Sequence, residues 1–290
     1  VGESKAPKRK KRRIILSSDD DEPQANTAST STTASTSSSA PSSTSSSTSS
    51  TTRRHSACLN RMVQKLPVNK LLEVINSSGG HPKCAQIALA VYLKGIKCNG
   101  MTEIEVSHRY GKDSDFGRLY ASYPSFQSMP GALRRILSHE LYHDIDIDNC
   151  APTFLLQLAQ KSGFPCPTLQ RYVDNRDATL RVLMSEMSLS REQVKKAFLI
   201  TQHNGLYTQA TEQQTSRLLD AYHAEIMGLG THLWDRPEHK ELKDKIVADS
   251  TKTNKAGTFL AWLYQTLEAD VIQAAANFFK QQGYEIGALV

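Results

Sequence analysis

The chain has 290 residues, 39% of them hydrophobic and 22% charged, with a formal net charge of +6. This length admits one large domain or two small ones, and no apolar run reaches the roughly 18 residues of a membrane span. Residues 1–56 hold nine Lys/Arg and five Asp/Glu, which leaves the rest nearly balanced at +2, so any nucleic-acid contact there needs a local patch rather than bulk charge.

Residues 1–56 have almost no apolar side chains beyond Ile14, Ile15 and Leu16, too few to offset ordering entropy, and are expected to be a disordered tail. Within them Lys8, Arg9, Lys10, Lys11, Arg12 and Arg13 have the pattern of a nuclear localisation signal or a nucleic-acid-binding arm. That pattern predicts a nuclear import receptor as partner and the nucleus as location. Ser17 and Ser18 precede four acidic residues, Asp19 to Glu22, as acid-directed phosphorylation sites do, and phosphates there would weaken the basic arm. Residues 24–52 are Ser/Thr-rich and read as a flexible linker. The first residue is Val rather than Met, which suggests a partial chain. Cys58, Cys84, Cys98, Cys150 and Cys166 are odd in number and form no CxxC pair, as free thiols of a reducing compartment would be; no secretory signal is visible.

From residue 57 the composition becomes globular, and roughly 230 residues suffice for a sizeable core. Residues 58–96 read as helical: Leu71, Leu72 and Ile75, then Ile87, Leu89, Ala90 and Leu93, recur at three- and four-residue spacing, with breaks at Gly79, Gly80 and Pro82. A connecting stretch runs to about residue 112, so 57–112 forms a helical region of unassigned role. Residues 141–148 alternate as a strand does, and Pro152 opens a helix as a first-turn proline. Helices are expected over 168–186, 190–202, 211–228 and 256–282, and a second strand over 284–290. The fold class is α/β (α+β), with 113–290 as one domain.

Two clusters carry chemistry. If 141–148 is a strand, Asp144, Asp146 and Asp148 share one face, where their mutual repulsion calls for an opposing cation. Hard oxygen ligands suit Mg²⁺, and a carboxylate at a strand end is how two-metal phosphoryl-transfer sites hold an ion. Ser190 is a natural N-cap; a helix from there aligns Arg191, Lys195, Leu199 and His203, and two cations on one stripe can hold a triphosphate.

A third segment, Gly117-Arg118-Leu119 with Pro124, Gln127 and Pro130, resembles the family A DNA polymerase segment T-G-R-L-S-S, two residues, P-N-L-Q-N-I-P. The acidic strand then resembles motif A of that family, and Arg191 with Lys195 resembles motif B, R-x3-K-x3-F-x3-Y-G. Gln265 and Glu268, on the predicted last helix ahead of the strand at 284–290, resemble the elements that precede motif C; the chain ends before that motif. This resemblance implies a polymerase palm with helical fingers, a primer–template of DNA or RNA, nucleoside triphosphates, and transfer through Mg²⁺ at Asp146 and Asp144, helped by Asp148. It gives Arg118 and Gln127 contacts to nucleic acid and Arg191 and Lys195 contacts to the triphosphate. The sequence departs from the pattern where motif A has a Glu five residues after its Asp: Ala151 and Thr153 stand there. Leu199 and His203-Asn204 replace the motif B aromatic and Tyr-Gly.

Two other readings compete. His139-Glu140-Leu141-Tyr142-His143 fits HExxH, which on a helix would make a zinc metalloprotease. The alternative is a non-catalytic nuclear protein that binds nucleic acid.

Overall fold

The computed structural model describes residues 13–18, of which the backbone alone, and residues 61–77, 81–111, 115–205, 207 and 216–289. They form a mixed α/β structure that is mostly helical. Lys8 to Arg12, Asp19 to Glu22, the Ser/Thr-rich linker and Cys58 lie outside the described residues.

The first sheet is antiparallel, in the order β2–β4–β3: β2 (Arg61–Pro67), β3 (Ile96–Cys98) and β4 (Met101–Arg109), with the short β5 (Tyr120–Ala121) also paired to β4. This corrects the helical reading of 58–96 and the connector reading of 96–112. In β2 the inward positions are Met62, Gln64 and Leu66, and the polar Gln64 disguises the alternation. Gln64 is buried because its Oε1 accepts the Phe126 N–H at 2.9 Å. β3 and β4 are joined through Asn99 and Gly100, both at positive φ, an Asn-Gly turn whose twist matches that of a hairpin.

Between these strands lie α1 (Val68–Asn76) and α2 (Pro82–Lys94), as the three- and four-residue spacing predicts. Leu71, Ile87, Ala88 and Val91 pack on Leu66, Ile104 and Val106 of the sheet and on Leu133 and Leu137 of α3 (Gly131–Ser138). Burying such side chains contributes about 1.5–3 kcal/mol each.

The second sheet is parallel and three-stranded, with β1 (Arg13–Ser18) in the centre between β6 (Tyr142–Ile147) and β7 (Glu285–Leu289). Ile15 pairs with Asp144 on one side and with Ala288 on the other. The disordered reading of the tail is therefore corrected for these six residues. Three apolar residues cannot nucleate a core alone, but two flanking strands satisfy the backbone of the hexapeptide on both sides. β6 falls where the alternation over 141–148 predicts it, and β7 falls within the strand expected over 284–290.

The remaining helices are α4 (Cys150–Ser162), α5 (Pro167–Asp174), α6 (Arg176–Met187), α7 (Arg191–Gln202), α8 (Arg217–Trp234), α9 (Lys240–Ala248) and α10 (Lys255–Gln281). Pro152 lies in the first turn of α4, as predicted. The helix expected over 168–186 is two, divided at Asn175, and α9 was not predicted. At the centre of their core Tyr172 stacks on Phe198 at 4.1 Å, and Tyr222 meets Phe198 edge-on at 4.9 Å. Among the described residues no helix is long and apolar enough to cross a membrane.

Candidate nucleic-acid-facing site

β6 carries the acidic face. Asp144, Asp146 and Asp148 are exposed, while Ile145 and Ile147 turn to the other side and pack against Ile272 and Ile286. The alternation puts Asp144 and Asp146 on one face, as a period of two requires, whereas Asp148 lies in the turn after β6, where the strand reading of 141–148 is corrected. The three carboxylates do not converge on a common point: among the described residues no group of three or more His, Cys, Asp or Glu side chains is placed to hold a metal ion. Asp148 accepts from Arg176 Nη1 at 3.0 Å, so one of the three is already neutralised from α6.

The HExxH segment is not helical. α3 ends at Ser138, His139 caps it, Glu140 and Leu141 form a turn, and His143 belongs to β6. The two imidazoles therefore lack the one-turn helical spacing that zinc needs, and Glu140 pairs with Lys70 at 3.2 Å. The metalloprotease reading is corrected on this geometry.

Arg118 and Gln127 come together in a small notch on α10. Gly117 stands at φ +90, a left-handed conformation, and its N–H donates to Thr266 Oγ1 at 2.8 Å. That bond sets Arg118 beside Gln265 and Glu268 of α10, with Ile272 and Leu289 closing the floor. The Gln127 amide is used within the loop: Oε1 accepts the Ala121 N–H at 2.7 Å, and Nε2 donates to the Leu119 carbonyl at 2.9 Å. Gln127 therefore positions the segment that carries Arg118. Gln265 and Glu268 share the notch with it, and Thr266, which anchors it, carries no sequence signal for that role.

α7 begins as its sequence predicts. Ser190 Oγ accepts the Gln193 N–H, and Gln193 Oε1 accepts the Ser190 N–H at 2.8 Å, a reciprocal capping box. Its stripe does not form one cationic site. Arg191 Nη2 donates to Asp177 Oδ1 at 2.6 Å, and this hydrogen bond and charge hold the Asp177 carboxyl below the usual carboxylate range. His203 is tied to Tyr264 Oη at 2.7 Å and to the Leu199 carbonyl at 2.8 Å. Lys195 stays on the exposed face. Asp177 and Arg176, the partners that absorb Arg191 and Asp148, sit together at the start of α6, and nothing in their sequence marks them.

No family model matches the chain, and no solved structure matches it. The resemblance to family A polymerases thus rests on the motifs alone. A curated protein named "Putative helicase V13", from Sputnik virophage, is 27% identical over 254 residues, covering 79% of this chain. The match takes in 32% of that protein, so the chain spans about a third of the length of the relative it matches. The relative is named for a helicase and not for a polymerase, and on this finding the polymerase function expected from the three motifs is corrected.

Proposed function

We propose that this chain is a nucleic-acid-engaging segment of a helicase-like protein. The alignment of most of the chain with part of a virophage protein named for a helicase carries the reading. The chain has one Gly-Lys pair, Gly111-Lys112, and Val106 stands where a phosphate loop of the pattern GxxxxGK[ST] needs its first glycine. The reading therefore assigns contact with nucleic acid, rather than nucleotide hydrolysis through such a loop, to this segment. The reading gives Arg118 a phosphate contact, because the Gly117 N–H fixes the loop that carries it on a long helix, beside Gln265 and Glu268.

Fluorescence anisotropy with labelled single-stranded, duplex and forked DNA, with and without Mg²⁺, tests the proposal. Binding is expected to weaken as salt rises, since phosphate contacts release counterions. Dependence on Mg²⁺ that disappears in Asp146→Asn would give the acidic face of β6 a part in that contact. Absence of binding to every substrate at low salt would overturn the reading.

A further inference from the structure

Charge in the globular part is distributed unevenly. Residues 81–102 and 116–139 contain Lys83, Lys94, Lys97, Arg118, Arg134 and Arg135 and not one Asp or Glu. The fold brings the two stretches into contact: Lys94, at the end of α2, donates to the Tyr123 carbonyl at 3.3 Å, and its Nζ lies 5.7 Å from the centre of the Tyr123 ring. Three residues on, Lys97 of β3 lies 4.5 Å from the centre of the Tyr92 ring and donates to the carbonyls of Tyr92 and Gly95. The acids of the neighbouring β4, Glu103 and Glu105, are ion-paired with Lys65 and Arg61 of β2, the strand on the far side of β4.

The same surface exposes apolar faces. Tyr123 is 54% exposed, Leu93 68% and Ile96 75%, whereas apolar side chains of the two cores are mostly below a tenth. Each lysine therefore sits against an aromatic ring, and among the described residues the nearest strand's carboxylates, Glu103 opposite Ile96 and Glu105, are engaged by β2. Single-stranded nucleic acid requires this combination: cations that follow the phosphates, and exposed rings on which unstacked bases lie. A duplex keeps its bases stacked inside and would use the lysines alone.

We propose that the surface formed by Tyr92, Lys94, Ile96, Lys97 and Tyr123 binds single-stranded nucleic acid. This deepens the nucleic-acid reading above and rests on it, giving that contact a location and a strand preference. It also gives a role to the region between residues 57 and 112.

The test is anisotropy of the full chain with a labelled oligothymidylate and with a duplex of the same length, over a salt series. The substitutions are Lys94→Ala with Lys97→Ala, and separately Tyr123→Ala, with Lys240→Ala as a control on a distant helix; circular dichroism checks that each folds. Tyr123 is half exposed, so its loss should spare the fold. Tighter binding of the single strand is expected. Tyr123→Ala should weaken it roughly tenfold, the order of one lost base stack. The double lysine variant should lower the slope of log K against log salt by about 1.4, the value for two phosphate contacts on a single strand. Retained wild-type affinity and slope in all variants would overturn this surface while leaving nucleic-acid binding in place. Absence of binding by the unmodified chain would overturn both.

Discussion

Tyr142→Phe isolates one hydroxyl that ties the two sheets together. Tyr142 is 7% exposed, and its Oη accepts the Lys65 N–H at 2.7 Å and donates to the Lys65 carbonyl at 3.0 Å. β2 lies at the edge of the antiparallel sheet, so for Lys65 the phenol takes the place of a neighbouring strand. The ring itself packs edge-on against Phe126 at 5.2 Å, and phenylalanine preserves that contact. Two hydrogen bonds at about 1 kcal/mol each, with one backbone pair left partly unsatisfied, give an expected loss of about 2–3 kcal/mol. For a domain of this size that lowers the melting temperature by roughly 5–10 °C. Urea unfolding followed by circular dichroism measures it, with an unchanged m-value expected because no additional surface is exposed. A loss below about 0.5 kcal/mol would refute the argument that this hydroxyl completes the edge of β2.

Three further outcomes follow from particular contacts. In Gly287→Ala the new Cβ would stand 2.0 Å from the Tyr142 ring, so β7 or that ring must shift, and a loss of about 1–3 kcal/mol is expected in the same urea assay. Wild-type stability would show that β7 does not pack on Tyr142. Glu225 accepts the N–H groups of Thr168 at 2.8 Å and Leu169 at 2.9 Å, at the start of α5; Glu225→Ala should cost about 1–2 kcal/mol, measured by thermal unfolding. A second effect is expected at Cys166, whose thiol burial and the nearby Glu225 carboxylate push up to about 12: it should resist thiol reagents in the folded chain and react sooner in the variant. Finally, His108 is 6% exposed, and burial lowers its pKa while the Leu289 backbone offsets part of the effect. The unfolded chain then takes up the proton first, so stability should fall as pH drops below about 6.5, with a slope of at most about 1.4 kcal/mol per pH unit for this group. His108→Gln should flatten that slope below about pH 6.5, and an unchanged profile would assign it to other groups.

The sequence by itself determined the elements whose pattern is local. The alternation over residues 141–148 marks β6 and its exposed Asp144 and Asp146, and Ser190 with Gln193 marks the start of α7, because a period of two and a capping box are written in adjacent residues. The Asn99-Gly100 turn between β3 and β4 is equally local, whereas β2, on the other side of β4, hides its alternation behind the inward Gln64. Tertiary structure alone decided the rest. Ile14, Ile15 and Leu16 become a central strand only because β6 and β7, more than a hundred residues away in the chain, offer both edges. Arg191 and Asp148 read in the sequence as functional charges, one toward a triphosphate and one beside a metal, yet in the fold each is claimed by α6, by Asp177 and Arg176 respectively. Lys94 and Tyr123, unremarkable where they stand in the chain, become one surface when α2 meets the loop after β5. Local propensity acts over a few residues, whereas a charge finds its partner wherever the packed core brings one within reach, and no pattern along the chain records that distance.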